Sequence, residues 1–156
     1  MTPEQLLEQY TQWMQAVNRA EKTIWAHRYR VRHFLDFAES RGVYDLAAVT
    51  ASHIREYQKH LAHAPNKRGQ VSSVQVRNQH IGALKSFFHF LHVEDLLPHD
   101  PAREVIYART PKRLPRVVLT PAELKKLLRQ PDVKTILGYR DRTILEMLYS
   151  TALRRR

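Results

Sequence analysis

Apolar residues recur at intervals of three and four through the first hundred positions, and strand-like alternation is almost absent. A period of three to four places one apolar stripe on a helix, whereas a half-buried strand needs a period of two. The chain has only 4 glycines in 156 residues, so few positions interrupt such helices. These constraints point to an all-α fold built from amphipathic helices that hide their stripes against one another.

The first helix is expected from about Pro3 to Val17, with Thr2 as N-cap and Leu6, Leu7, Tyr10, Trp13, Met14 and Val17 on one face. A second starts at a cap on Thr23 and continues to Ser40, where Arg41-Gly42 supplies a stop; Ile24, Val31, Phe34, Leu35 and Ala38 form its stripe. A third follows the cap Thr50, turns Ile54, Tyr57 and Leu61 inward, and breaks at Ala64-Pro65-Asn66. After the basic loop Asn66-Lys67-Arg68-Gly69-Gln70, a fourth runs from about Ser73 to Val93 with Ile81, Leu84, Phe87, Phe88 and Leu91 as core.

Beyond Pro98-His99-Asp100-Pro101-Ala102 the composition changes. In YARTPKRLPRVVL, the cations Arg109, Lys112, Arg113 and Arg116 sit among Pro111 and Pro115, and prolines deny such a stretch helical hydrogen bonds. A division follows: a helical domain over 1–106, a basic extended linker over 107–119, and the beginning of another domain over 120–156. Thr120-Pro121-Ala122-Glu123 has the residues of a capping box, opening a helix over about Pro121 to Leu128. A last helix, about Gly138 to Ser150, is expected to bury Ile144, Leu145, Met147 and Leu148.

Charge narrows the partner. Lys plus Arg is 26 against 15 Asp plus Glu, a formal net charge of +11, with an isoelectric point near 10.3. Such an excess favours an acidic partner, nucleic acid first. The cations are spread over several helices and the linker, which fits a membrane-surface helix poorly. There are no cysteines, which excludes thiolate metal sites, disulfides and a cysteine nucleophile. The N-terminus carries acids where a signal peptide carries a basic region, and no apolar run approaches the roughly 18 residues of a membrane span; a cytoplasmic location is expected.

Two helix faces are unusual for wet surfaces. Opposite Val31 on the second helix lie Lys22, Trp25, Ala26, Tyr29 and His33, with Arg32 on the flank. Cations interleaved with aromatics suit phosphates, sugars and bases, but Trp25 and Tyr29 packed on the first helix or the linker is an equally open reading. Opposite Leu84 on the fourth helix lie Gln75, Asn78, Gln79, Gly82 and Ser86, with Lys85 beside them. Short amides can read base edges in a major groove, Gly82 leaves room for a close approach, and no acid occurs from Val71 through Val93. An ordinary polar face is the competing reading. The i,i+3 pairs His60/His63 and His89/His92 lack neighbouring carboxylates, so no metal is expected. No cofactor is expected either: the four glycines are scattered rather than gathered in a phosphate loop, and no Ser-His-Asp order occurs.

EKTIWAHRYRVRHFLDFAESRG, VSSVQVRNQHIGALKSFFHFLHVEDLLPHDPA, the basic linker, LTPAELKKLL and GYRDRTILEMLYSTALR resemble, in this order, the tyrosine recombinase or phage integrase family. The resemblance implies a four- to five-helix SAM-like core-binding bundle, then a linker and the first helices of a truncated catalytic domain. It implies that the second and fourth helices face the DNA major groove, and that neighbouring protomers touch on DNA, giving a homo-oligomer there. HDPA resembles the family's Asn-Pro-Ala turn with Asp100 in place of Asn. YSTALR resembles its Thr-Gly-Leu-Arg segment, with Ala152 for the usual Gly and Arg154 at the first catalytic arginine, a guanidinium that would donate to the charged phosphate oxygens of the transition state. The family's lysine, His-x-x-Arg segment, further His or Trp and nucleophilic tyrosine lie downstream of that arginine, and all seven tyrosines here precede it.

The expectation is therefore duplex-DNA binding without strand cleavage, carried by Lys22, Trp25, Tyr29, Arg32, Lys67, Arg68, Gln75, Asn78, Gln79, Lys85, Arg109, Lys112, Arg113 and Arg116. The alternative from another class is a helical protein-interaction module with Trp25 and Tyr29 as its hot spot. A helix-turn-helix repressor fits less well, because a whole helix and a basic loop separate the two candidate faces.

Overall fold

The computed structural model describes residues 1–65, 69–111 and 119–152. These form α1 (Pro3–Ala16), α2 (Glu21–Ser40), a short 3-10 turn (Leu46–Ala48), α3 (Ala51–His63), α4 (Val74–Val93), α5 (Pro121–Leu128) and α6 (Ile136–Thr151). No strand occurs among the described residues, and the all-α expectation holds; one isolated antiparallel bridge joins Pro65 and Val71. None of the described helices is long and apolar enough to cross a membrane.

Two compact units divide the chain, Met1–Pro111 and Lys112–Arg156. In the first, α2 packs on α1, α3 and α4, and α4 also meets α1 and α3. Sequence dictates the contacts: Tyr10 and Met14 of α1, Val31 and Phe34 of α2, Ile54 and Tyr57 of α3, and Ile81, Leu84, Phe87, Phe88 and Leu91 of α4 are all buried. Rings interlock by edge-to-face contacts, which aromatic quadrupoles favour: Phe34 meets Phe88 at 82° and Tyr57 at 76°, and Tyr10 meets Phe87 at 69°. Phe37 and Phe90, absent from the expected stripes, are buried too.

Helix ends follow local chemistry. Thr2 caps α1 in a reciprocal box with Gln5, and Ser73 Oγ accepts the Val76 N–H at the start of α4. Some expected boundaries are corrected. Val17 is the C-cap of α1 and is 46% exposed, outside the stripe. The second helix starts three residues earlier than the Thr23 cap implied, with Ala20 as N-cap and no side-chain cap bond; Glu21 in the first turn suits the positive end of the helix dipole. α6 starts at Ile136 rather than Gly138, because Thr135 Oγ1 accepts the Gly138 N–H at 3.0 Å.

The HDPA turn closes the bundle. Asp100 Oδ1 accepts the Ala102 N–H at 2.8 Å, a task that needs only an acceptor, so Asp performs it as well as the Asn of the resembled turn would. Ala102 and Val105 are buried just beyond it.

In the second unit, α5 begins with the expected capping box of Thr120 and Glu123, whose bonds hold the Glu123 carboxyl below its ordinary pKa. α5 and α6 pack on each other. The expected burial of Ile144, Leu145, Met147 and Leu148 is corrected: Ile144 is 46% and Met147 54% exposed, and Leu145 and Leu148 are only half-buried. Two helices cannot enclose a core between them, since each stripe has one partner and two open flanks.

Candidate nucleic-acid interface

The α2 surface is built from its heptad-like spacing. Positions 22, 25 and 29 fall on the side away from Val31 and Phe34, and there Trp25 is 67% and Tyr29 53% exposed. The two rings stack on each other, with centroids 5.8 Å apart and planes 9° from parallel. At these exposures neither ring is buried against α1 or against the described part of the segment after the bundle, residues 107–111. Lys22 is exposed one turn before them.

The neighbouring α4 surface joins this one through Arg30, which donates to Gln79 Oε1 at 2.8 Å. Gln75, one turn earlier on α4, is exposed. Neighbouring outward faces of α2 and α4, bridged by Arg30 and Gln79, thus carry the stacked Trp25–Tyr29 rings, Lys22 and the exposed amide Gln75. Arg30 was not among the expected residues, and no signal in the sequence marks it, since its partner comes from another helix.

Other expected members are placed elsewhere. Arg32 pairs with Glu4, and Arg28 with Glu8 at 3.4 Å, so both cations lean toward α1. These are exposed pairs of small energetic weight. His33, expected outward, is half-buried, with Nδ1 2.9 Å from the Tyr57 hydroxyl. The expectation of one open amide-rich face on α4 is also corrected. Ser86 Oγ accepts from the Tyr10 hydroxyl at 2.8 Å, on the α1 side. Asn78, Gly82 and Lys85 lie under the segment leaving the bundle: Asn78 bonds Ala108, Lys85 Nζ donates to the Arg103 carbonyl at 3.0 Å, and the Tyr107 hydroxyl comes within 3.5 Å of where a Gly82 Cβ would stand. Asn carries a donor and an acceptor, the complement of a peptide group, so chain backbone satisfies it as well as a base edge would. Arg109 is exposed on that segment. Lys67, Arg68, Lys112, Arg113, Arg116 and Arg154 lie outside the described residues.

Beneath Tyr29 runs a buried polar chain that the stripes did not announce. The Tyr57 hydroxyl stands 2.9 Å from His33 Nδ1 and 2.9 Å from His80 Nδ1. A phenol has one proton, so it donates to one ring nitrogen and accepts from the other, which fixes opposite tautomers on the two imidazoles. Burial lowers the His80 pKa to about 4, with the nearby His33 and Arg30 adding to the effect. It lowers that of His33 as well, and raises that of Tyr57. All three are neutral at pH 7. Tyr29 meets the His80 ring edge-on at 65°, so this chain supports the exposed stack from below. The signal for His80 was present: it lies beside Ile81 and one turn before Leu84, on the core side.

The remaining histidines do not converge. His60 packs on Phe37 with centroids 5.0 Å apart, and His92 Nδ1 donates to the Leu97 carbonyl at 3.2 Å. Among the described residues no group of three or more His, Cys, Asp or Glu is placed to hold a metal ion.

Residues 6–96 match the family model described as "Phage integrase, N-terminal SAM-like domain". The chain belongs to this family. Among relatives of this integrase domain, a protein named tyrosine recombinase XerC 2 from Ralstonia nicotianae is 35% identical over 133 residues, covering 85% of this chain and 38% of the relative. Tyrosine recombinase XerC from Myxococcus xanthus is 46% identical over 78 residues, covering 50% of this chain and 26% of its own length. Tyrosine recombinase XerD from Vibrio cholerae is 29% identical over 160 residues, covering 99% of this chain and 49% of the relative. The chain therefore spans less than half the length of these recombinases. The crystal structure of the N-terminal domain of a phage integrase/site-specific recombinase from Haloarcula marismortui shares the fold, with a TM-score of 0.58 at 24% identity, over 69% of this chain and 97% of that one.

Proposed function

We propose that this integrase-type chain is the DNA-binding portion of a site-specific tyrosine recombinase acting in DNA integration and recombination in the cytoplasm. The observation that carries the reading is the outward α2–α4 surface, where a stacked Trp25–Tyr29 pair lies beside Lys22 and the Arg30–Gln79 bridge on a chain of net charge +11. Cations would meet phosphates, and the rings and Gln75 would meet sugars and base edges. Residues 1–106 would form the core-binding domain, 107–119 the basic linker and 120–156 the start of the catalytic domain, with Arg154 as phosphate clamp in the complete enzyme. Tyrosine attack needs a nucleophile, a general acid and charge stabilisation together, and the residues here that match the family's set stop at Arg154. The chain would bind duplex DNA without cutting it; a covalent DNA adduct on any of its tyrosines would refute that.

The test is titration of a labelled duplex at several salt concentrations. Counterion release requires affinity to fall steeply with salt, and neutralising Lys67, Arg68, Lys112 and Arg113 together should abolish most binding. Salt-independent or absent binding would overturn the reading. The exposed Trp25 also favours a second reading, a protein-docking hot spot. Ala at both Trp25 and Tyr29 separates the two: unchanged DNA affinity with lost self-association on size exclusion favours protein docking.

A further inference from the structure

The segment leaving the bundle, Arg103–Pro111, is held to it by hydrogen bonds more than by packing. Ile106 is 82% and Tyr107 48% exposed, so apolar burial contributes little after Val105. Polar tethers come from two helices. Gln58 of α3 donates to the Ile106 carbonyl at 3.0 Å. Lys85 of α4 donates to the Arg103 carbonyl at 3.0 Å and lies 5.4 Å from the centroid of the Tyr107 ring. Asn78 takes Ala108 at both ends: its Nδ2 donates to the Ala108 carbonyl at 2.8 Å, and its Oδ1 accepts the Ala108 N–H at 2.9 Å. The same Nδ2 reaches Thr110 Oγ1 at 3.4 Å. One carboxamide thereby imitates a strand neighbour, offering the donor and the acceptor that a peptide group requires.

We propose that Asn78 is a positioning residue that straps Arg103–Pro111 to α4, so that Arg109 and the basic residues that follow it in sequence are offered to DNA from a fixed origin. The inference rests on the DNA-binding reading above and deepens it. It assigns Asn78 to the chain's own backbone, while the amides Gln75 and Gln79 remain on the outward surface. A cation already held in place loses less conformational freedom on meeting a phosphate, and binding strengthens accordingly.

The experiment compares the full chain with its Asn78→Ala, Asn78→Asp, Arg109→Ala and Asn78→Ala/Arg109→Ala variants. Without DNA, amide exchange at Ala108 is protected in the wild type and accelerates at least about tenfold in Asn78→Ala. Asn78→Asp keeps the acceptor and loses the donor, giving an intermediate rate and showing that the effect follows the tether rather than misfolding. With duplex DNA, Asn78→Ala weakens binding several-fold on every sequence and lowers the slope of log affinity against log salt by about 0.9, the share of one phosphate contact. Arg109→Ala does the same, and the double variant adds nothing further. A changed sequence preference with an unchanged salt slope would mean that Asn78 reads bases, and overturns the proposal. Unprotected Ala108 in the wild type also overturns it. A wild-type chain that binds no duplex removes the DNA reading itself and the positioning role with it, whereas wild-type binding with an unchanged slope in Asn78→Ala removes only the positioning role.

Discussion

At position 80 a histidine stands where the apolar stripe of α4 asks for a hydrocarbon, and its cost is set by pH. The folded protein holds His80 neutral, with a pKa of about 4 against an ordinary 6.5. Between those values the unfolded chain binds more protons, so stability rises with pH there. His80 costs nothing above pH 6.5; as pH falls toward 4, roughly 3 kcal/mol is lost, at about 1.4 kcal/mol per pH unit. Urea unfolding at pH 7, 5.5 and 4.5 should show the decline, and His80→Gln should flatten it, though not wholly, because burial lowers the pKa of His33 too. A wild-type stability flat across that range would contradict the buried neutral chain. Two residues further along α4, Gly82 makes the opposite prediction. A Cβ there meets the Tyr107 side chain, its hydroxyl at 3.5 Å and Cε1 at 4.0 Å, both ordinary contacts, so Gly82→Ala should stabilise α4 by about 0.5–1 kcal/mol through helix propensity. Thermal melting measures it, and a destabilised variant would show that the strap is packed more tightly than described.

Three of the bundle helices end in the same way, and only one of these endings was legible beforehand. Gly42 at φ +77° marks the end of α2, and the Val43 N–H returns to the Ala38 carbonyl. Asn18 and Asp95, both at φ 55°, do the same work behind α1 and α4, with Arg19 N–H returning to Met14 and Leu96 N–H to Leu91. Asn and Asp tolerate the left-handed region without announcing it as a glycine does. α6 ends on Ala152 at φ 52°, where the family resemblance places glycine. A left-handed Ala costs roughly 1 kcal/mol, so Ala152→Gly should slow amide exchange over the last turn of α6 about fivefold. Unchanged exchange would place the strain elsewhere. At this scale helix number and type and most of the bundle's apolar stripes were readable from periodicity and caps, whereas Phe37, Phe90 and the open α6 stripe were not. The α4 face was not, because Asn78, Lys85 and Gly82 look alike whether they meet DNA or a returning segment of their own chain; that choice is made by residues about thirty positions away. Arg30 and His33 were hidden for the same reason.

Across the whole molecule, every fully buried apolar side chain among the described residues falls between Leu6 and Val105. Cooperative protection should follow that boundary. Amides of α4 should exchange only through global unfolding, and those of α5 and α6 through local openings at far lower free energy. Equal protection in α4 and α6 would mean that α6 has found a cover. The same map gives the molecule two unlike optical labels. Trp13 is partly buried, between the Tyr10 and Phe90 rings, whereas Trp25 is largely exposed and stacks on Tyr29. A quencher dissolved in the buffer should reach the second indole and largely spare the first. The emission of the unmodified protein therefore divides into a component that reports the state of the core and one that reports what occupies the α2 surface, and both can be followed in a single cuvette without attaching a dye.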